Sequence, residues 1–411
     1  MSSQQVDLVS PLEPGFPLGI RLMREMQGRE AITALGGRLH EVAAFYGKTP
    51  EQLQRELRAD PSLRVNRSGQ LFYACAMHGA HDHSVQAMEA ADAESIGPTD
   101  AGPFDPSQAF LLHSRPGANR VIYLDFDGHT DTTPGGWEDG AYAPVYNISG
   151  NNTAIFEDEE RNRIIEIWQR VAEDFSMYDI DVTTEDPGVE RLRKSSTSDA
   201  QYGMRCCIGR SGSLWYGNNV GGVALSGSFD AGQDVPCWVF PVGGTGFGAK
   251  NISDAASHEV GHTLGLAHDG IEGVTGATTG QGNWAPIMGV SYSKPITHWD
   301  KGEFTSPNNT QDDLAVMLTQ GAVYRPDDHG GTAAAATQVS ADSSTASVSG
   351  VIERNTDLDF FRIDAVGGSL SMTINPAPSG PNLRLEVKLY DSGGALLQTA
   401  TSADVSGVSN G

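Results

Sequence analysis

The segment 257–270, SHEVGHTLGLAHDG, combines residue types and spacings that can bind a metal ion. His258 and His262 are four residues apart, so on a helix both imidazoles project from one face. Glu259 lies between them, one residue round the helix, where its carboxylate can reach a water on the same ion without binding the ion. These three residues predict a metal-binding helix with a general base beside the metal.

Two later residues of the segment complete the predicted site. Gly265 comes three residues after the second histidine and can take the left-handed conformation that ends a helix and reverses the chain. That turn returns His268 to the same ion as a third ligand. Three neutral imidazoles leave the fourth position of Zn²⁺ open for water, as in a catalytic site. A bare H-E-x-x-H also occurs by chance in a core helix, but the extended pattern fixes five positions.

The pattern HEVGHTLGLAH resembles the signature of the metzincins, zinc peptidases defined by HExxHxxGxxH and a later methionine turn. APIMGVSY at 285–292 matches that turn, which implies that Met288 forms an apolar floor beneath the metal. The alternative is an ordinary core methionine. Asp269, directly after the third histidine, resembles the reprolysin-like branch, in which an Asp here braces the site. The resemblance covers about 112–326 and implies a zinc-dependent endopeptidase with Glu259 as general base.

One position departs from part of the clan. Astacin- and serralysin-like members have a Tyr two residues after the methionine, where this chain has Val290, and the nearest tyrosine is Tyr292. Tyr292 can stabilise an oxyanion or line the substrate pocket, and both roles stay open. The resemblance also implies that GGVALSGSF, 221–229, is an antiparallel edge strand that binds a protein or peptide substrate as an extended strand.

The elements around the site predict a mixed α/β (α+β) catalytic domain over 112–326. RVIYLDFDG reads as a buried strand, and 158–178 reads as a helix with an apolar stripe. Further short strands and a helix over roughly 252–264 follow. This order predicts an α/β sandwich with a mixed sheet. The resemblance to the metzincins further implies that the sheet is mostly parallel and five-stranded, with an active-site helix.

Residues 1–111 read as a helical N-terminal prosegment and linker, because a secreted peptidase needs its site blocked until export. Residues 20–58 have helical spacing, with Thr49 and Pro50 at one helix start, and SLRVNRSGQLFYACA reads as a hairpin. Cys75 ends that hairpin. Its thiolate is a soft ligand that can take the open zinc position and hold the enzyme latent.

Two other roles for Cys75 remain, a small buried hairpin residue or a disulfide partner. The other cysteines are Cys206, Cys207 and Cys237, too few for a disulfide scaffold. Because adjacent cysteines do not readily bridge, the expected disulfide joins Cys237 to one of the other two.

Residues 327–347 form a low-complexity linker, and 348–411 alternate like a small β-sandwich. This tail resembles the bacterial pre-peptidase C-terminal domain found on secreted proteases, and it stops before a last strand, as if truncated. The N-terminus lacks the basic and apolar parts of a secretion signal. We expect a secreted zymogen whose N-terminus is incomplete or misassigned.

Charge and composition limit the partners. The 411-residue chain carries 52 Asp and Glu against 27 Lys and Arg, a net charge of −25, which disfavours nucleic acid. No stretch approaches the ~20 apolar residues of a membrane span. Asp125 and Asp127 in LDFDG are candidate Ca²⁺ ligands or solvent-facing acids. The oligomeric state stays open.

Two other function classes compete with the peptidase. One is a catalytically inactive zinc-containing binding module, which the intact Glu259 disfavours because such a module needs no base. The other is a zinc hydrolase of non-peptide amides or esters, which the predicted edge strand disfavours because its free N–H and C=O groups suit an extended peptide.

Overall fold

The computed structural model describes residues 19–76, 104–133, 137, 141–147, 155–209, 220–241, 248–340, 345–364 and 371–401. In this part the fold is mixed α/β, with a large mixed sheet and few helices. The α-helices are α1 (Gly28–Leu35), α2 (Leu39–Phe45), α3 (Pro50–Ala59), α4 (Asp158–Asp174), α5 (Ala249–Thr263) and α6 (Asp313–Thr319). Within these ranges no helix is long and apolar enough to span a membrane.

The strands run from the N-terminal hairpin to the tail. They are β1 (Met26–Gln27), β2 (Leu63–Val65), β3 (Leu71–Ala76), β4 (Arg120–Asp125), β5 (His129–Thr130), β6 (Tyr142–Ala143), β7 (Ile180–Thr183), β8 (Tyr202–Ile208), β9 (Val220–Leu225), β10 (Cys237–Val239), β11 (Trp284–Pro286), β12 (Ile296–His298), β13 (Thr337–Val339), β14 (Phe361–Ile363), β15 (Glu386–Tyr390) and β16 (Leu396–Thr401).

The large sheet has the strand order β1-β2-β3-β9-β10-β8-β4-β7. Strand β4 is parallel to both β7 and β8, and β10 is parallel to β8. Strand β9 is antiparallel to β10. The part of the sheet contributed by 112–326 therefore has five strands and is mostly parallel. The mixed sheet that the sequence pattern predicts is present.

Helices α4 and α5 pack together in the main apolar core. The stripe residues Ile164, Trp168 and Val171 of α4 are buried there with Val260 of α5. Burial on both faces of the sheet explains why the inner strands read as continuous apolar runs. The α4 helix ends at Asp174, four residues before the predicted end, while α5 begins three residues before its predicted start.

The N-terminal region extends this sheet, so it has eight strands where the sequence predicts five. The predicted hairpin is present as β2 and β3, with a turn closed by the Asn66 and Gln70 backbones. Thr49 caps α3 in a capping box, and Pro50 is its first residue. Strand β3 then pairs antiparallel with β9. The prediction that 221–229 is a free edge strand is wrong for the full chain, because β3 covers that edge.

The tail does not show the predicted sandwich in its described residues. Strand β13 lies inside the predicted linker 327–347 and pairs with β14, while β15 pairs with β16. Within the predicted sandwich, residues 348–353 and 371–377 form no regular strand. Side chains such as Phe361, Ile374 and Leu397 are exposed, so these pairs do not enclose an apolar core of their own.

All four cysteines are free and buried, so the expected disulfide is absent. Cys206 and Cys237 are register partners on the parallel strands β8 and β10, whereas Cys207 is opposite Trp238. Cys75 lies on β3, away from both strands in the sheet order.

Candidate metal centre

The end of helix α5 brings the three histidines together through the predicted glycine turn. Gly265 has a φ of 87°, and its N–H donates to the His262 carbonyl at 3.0 Å. The Leu266 N–H donates to the Gly261 carbonyl at 3.1 Å. These two bonds form a Schellman motif, in which a left-handed residue satisfies the last helical carbonyls. The chain is thereby reversed and His268 returns toward the helix.

The three Nε2 atoms converge on one point. The His258 and His268 Nε2 atoms are 3.0 Å apart, those of His258 and His262 are 3.1 Å apart, and those of His262 and His268 are 3.2 Å apart. Three nitrogens bound to Zn²⁺ at the usual 2.0–2.1 Å in a tetrahedral arrangement lie about 3.3 Å apart. The histidine geometry therefore fits a single zinc ion.

Hydrogen bonds at the other ring nitrogen fix the tautomer of each histidine. The Nδ1 atom of His258 is 2.7 Å from the Ile287 carbonyl, and that of His262 is 2.8 Å from the Leu266 carbonyl. A carbonyl only accepts, so each Nδ1 carries the proton and each Nε2 presents a lone pair. Burial lowers the pKa of His258 to about 3, with His268 adding to the effect. Neutral imidazoles with converging lone pairs are the donor set that a metal ion needs.

The third histidine takes its Nδ1 partner from the N-terminal region. Its Nδ1 lies 2.8 Å from Asp60 Oδ2 and 3.1 Å from Ser62 Oγ. Burial alone would raise the pKa of Asp60, but His268 and Ser62 lower it to about 2. An ionised carboxylate on Nδ1–H orients a ligating imidazole and raises its basicity. Residues outside the H-E-x-x-H segment therefore orient the third histidine of the cluster.

Cys75 lies at the remaining corner of the histidine cluster. Its Sγ is 3.3 Å from His262 Nε2 and 3.4 Å from His268 Nε2. The four side chains have ligand atoms that all lie within 4.8 Å of one another. Tyr73, two residues earlier on β3, stacks on the His262 ring at 3.8 Å between centroids and 5° between planes. Strand β3 therefore contacts the centre through two side chains: Cys75 is a potential ligand, and the Tyr73 ring stacks on a histidine ring.

Glu259 lies beside the centre and is 1% exposed. Its Oε2 atom has no hydrogen-bond partner among the described residues. Burial raises the pKa of Glu259 well above its ordinary value, while a hydrogen bond with Cys75 opposes that rise. Burial also raises the pKa of Cys75, and Glu259 adds to it. An unsatisfied carboxyl oxygen at the metal ligands suits a group that receives a proton from a water there.

Glycine at position 222 makes room for this carboxylate. A Cβ built on Gly222 would lie 2.2 Å from Glu259 Oε1. Gly222 is also the register partner of Cys75 in the β3–β9 ladder. Strand β9 can therefore approach the Glu259 carboxyl group only because position 222 has no side chain.

The predicted methionine floor lies under the helix. Met288 is fully buried, and a Cβ on Gly261 would lie 2.6 Å from its Sδ. The backbone N–H of Asp269 donates to the Met288 carbonyl at 2.9 Å. This backbone hydrogen bond ties the segment after His268 to the methionine turn, and the predicted bracing role of the Asp269 side chain stays a prediction.

Tyr292 is partly buried and packs against the main core. Burial raises its pKa well above the ordinary value, and Glu259 and Cys75 raise it further. The two roles that the sequence leaves open, oxyanion stabilisation and lining of the substrate pocket, both stay open.

The calcium candidate at Asp125 and Asp127 has a different environment. Asp125 is buried and pairs with Arg205, whose Nη1 lies 2.6 Å from Asp125 Oδ2, while Asp127 is exposed. A guanidinium already supplies the positive charge at Asp125, so this geometry gives no support for Ca²⁺ there.

The sequence reasoning missed Asp60, Ser62, Tyr73 and Gly222. The only signal for Gly222 was its place in the strand predicted to run past the site, and nothing local to 60–73 pointed to the histidines. Comparison with known proteins adds no identification. No protein-family model matches the chain, and no curated protein matches it.

Proposed function

We propose that the protein is a secreted, zinc-dependent metalloendopeptidase of the metzincin type, held latent by its N-terminal region. The observation that carries the proposal is the convergence of three Nε2 atoms within 3.0–3.2 Å beside the unpartnered Oε2 of Glu259. Ligands without a base suffice for a structural site, whereas a base at the ligands indicates hydrolysis.

The residues of the centre divide the chemistry among them. His258, His262 and His268 would hold a zinc ion, which when bound would act as a Lewis acid on the scissile carbonyl and would lower the pKa of a water toward about 7. Glu259 takes a proton from that water and passes it to the leaving amine. Its buried setting favours the protonated form after the first transfer, because desolvation penalises the charged carboxylate.

Strand β9 supports a peptide as the substrate. When β3 leaves, β9 exposes the N–H and C=O groups that now pair with Phe72–Ala76. An extended peptide can form the same antiparallel ladder, which would carry its backbone past Gly222 and Glu259. This arrangement favours an endopeptidase over a hydrolase of small amides or esters, since a small ester has no use for a strand-length ladder.

The pairing of β3 with β9 also accounts for the proposed latency. In the full chain Cys75 fills the fourth position at the histidines, β3 occupies the predicted substrate strand, and Asp60 pairs with His268. Four protein ligands make a closed zinc site with no place for water. Activity therefore requires removal of the N-terminal region by a cut in the linker, which the sequence predicts at 78–110. Residues 78–103 of that linker lie outside the described part of the chain.

The closed coordination also favours one competing function, a binding module in which zinc is only structural. In that case removal of the N-terminal region would release the metal and leave no activity. In the peptidase, the three histidines would retain zinc and casein would be cleaved. Elemental analysis and a casein assay on the processed protein separate the two functions.

The decisive experiment replaces the base. We expect Glu259→Gln to retain one zinc and the wild-type melting temperature, and to lose about 10²–10⁴-fold in casein hydrolysis after processing. Glu272→Gln, the same change at an exposed position, serves as the control and should keep full activity. Comparable activity in the two variants would refute the mechanism.

A second experiment tests the thiol. Cys75→Ser removes the soft ligand from the full chain, so we expect self-processing to begin earlier than in wild type. Ala76→Ser, at the exposed neighbouring position, should keep the wild-type delay. Latency equal to wild type in Cys75→Ser would discard the switch, while leaving the peptidase proposal intact.

A further inference from the structure

A second group of potential metal ligands lies next to the histidine centre and uses none of its residues. Asp269, Asp300 and Asp313 each offer a carboxyl oxygen, and the three oxygens lie within 4.8 Å of one another. Asp269 directly follows the third histidine, Asp300 follows β12, and Asp313 begins helix α6. Three separate stretches of chain thus bring acids to one point.

The three carboxylates are buried deeply. Asp269, Asp300 and Asp313 are 1%, 5% and 0% exposed. In each of them one oxygen has no hydrogen-bond partner: Oδ2 of Asp269, Oδ1 of Asp300 and Oδ1 of Asp313. A buried carboxylate oxygen without a donor is costly, and three of them in one place require a common partner.

The opposite oxygens show how the group is held. The Asn309 amide donates to Asp269 Oδ1 at 3.1 Å, and the Glu303 N–H donates to Asp300 Oδ2 at 3.3 Å. The Asp300 N–H donates to Asp313 Oδ2 at 3.1 Å. These bonds come from neutral amides and leave the other oxygens aimed at one another.

No cationic side chain in the described ranges forms an ion pair with any of these three acids. The buried Asp125 shows the contrast, because the Arg205 guanidinium there takes the place of a cation. The carboxyl groups of Asp269 and Asp300 lie within hydrogen-bond reach of each other, so one shared proton could satisfy those two and would leave Asp313 Oδ1 without a partner. A divalent ion can contact all three at once.

We propose that Asp269, Asp300 and Asp313 form a calcium site that is separate from the histidine centre. An all-oxygen, triply anionic donor set selects a hard cation and not zinc. Calcium binds oxygen at 2.3–2.6 Å, so two oxygens on one ion lie at most about 5 Å apart. The three carboxyl oxygens, all within 4.8 Å of one another, meet that limit.

The ion would fix the wall of the histidine centre. Asp269 is joined by the peptide backbone to His268 and by a 2.9 Å hydrogen bond to the Met288 carbonyl. Calcium would lock that segment to Asp300 and to the start of α6. The site does not depend on the peptidase proposal, because its role is to hold these segments whatever reaction occurs beside them.

Calcium binding to the full zinc-loaded chain tests the proposal. The protein carries Glu259→Gln to prevent self-cleavage and is dialysed into calcium-free buffer with zinc. Equilibrium dialysis with ⁴⁵Ca²⁺ should detect one bound ion in the parent chain and none in Asp313→Asn or Asp300→Asn. The ion should still bind in Asp328→Asn, the same change at an exposed acid. Calcium at about 100 times its dissociation constant should raise the melting temperature by about 5–10 °C in the parent chain.

The Asn variants sharpen the interpretation. Without calcium, Asp313→Asn should melt above its parent, because one repelling charge is gone, and with calcium it should melt below it. Zinc content should not change. A parent chain that binds no ⁴⁵Ca²⁺ and shows no calcium-dependent melting would overturn the site in favour of a shared proton. Loss of the bound ion in Asp328→Asn would also overturn it, because calcium would then bind elsewhere.

Discussion

Replacing Gly222 by alanine tests how closely the position of Glu259 controls the proposed reaction. A Cβ at this position would lie 2.2 Å from Glu259 Oε1 and 2.5 Å from its Cδ. Ordinary contact begins at 3.4 Å, so the carboxylate must move by about 1.2 Å. Burial leaves it little space in which to move, and the histidines on the other side of the centre keep their places.

A displacement of about 1 Å at a reacting group costs about 10²-fold in rate, or about 2.7 kcal/mol of transition-state stabilisation. We expect processed Gly222→Ala to bind zinc normally and to lose about 10²-fold in kcat with casein-derived peptides. The loss should appear in kcat with little change in KM, because the base acts in the transition state and not in substrate binding.

Gly331→Ala is the control, since its Cβ would make only an ordinary contact and its φ is not in the left-handed region. A rate within threefold of wild type in Gly222→Ala, with zinc retained, would refute the argument that Glu259 is the base. A rise in KM with unchanged kcat would assign the effect to peptide pairing on β9 instead.

Two further predictions follow from buried carboxylates. Asp60→Asn removes the charge that faces His268 Nδ1 at 2.8 Å, so we expect the full chain to bind zinc about 10–100-fold more weakly in competition with a chelator; equal affinity would show that Asp60 does not orient the ligand. Burial raises the pKa of Asp174 from its ordinary 3.8 to about 8, so the folded protein keeps a proton that the unfolded chain has lost. Stability should therefore fall as pH rises from about 4 to about 8, and thermal unfolding of Asp174→Asn should show a flatter pH dependence; an unchanged slope would contradict this assignment.

The local part of the centre could be predicted because its geometry follows from short-range rules. Helical spacing aligns His258 with His262, and a glycine with positive φ returns His268 within one turn. The methionine at 288 was found through a motif and not through physics, since nothing in its immediate sequence places it under Gly261. These residues lie within 31 positions of one another. The turn that returns His268 is held by backbone hydrogen bonds between residues at most five positions apart.

The missed residues depend on the register of distant strands. Asp60 and Tyr73 meet the histidines only because β3 pairs with β9, and their partners are about 190–210 positions away. Alternating patterns predict that a strand exists and do not predict which strand it joins. Strand pairing also explains the difference in the tail. The alternating pattern there predicts strands, but it does not show whether they pair into two sheets that bury a common core.

The apolar core within the N-terminal region bears on how the proposed enzyme would be released. This cluster includes Leu35, Leu53 and Leu57 from the helices and Tyr73 from β3 itself. While the chain is intact, the blocking strand is present at an effective concentration of about millimolar, whatever the protein concentration. A cut in the linker removes this high effective concentration. The severed N-terminal region keeps its own apolar core, and its strand β3 can still pair with β9. Activation would then require dilution or destruction of the severed piece, and concentrated preparations would stay inhibited by their own product.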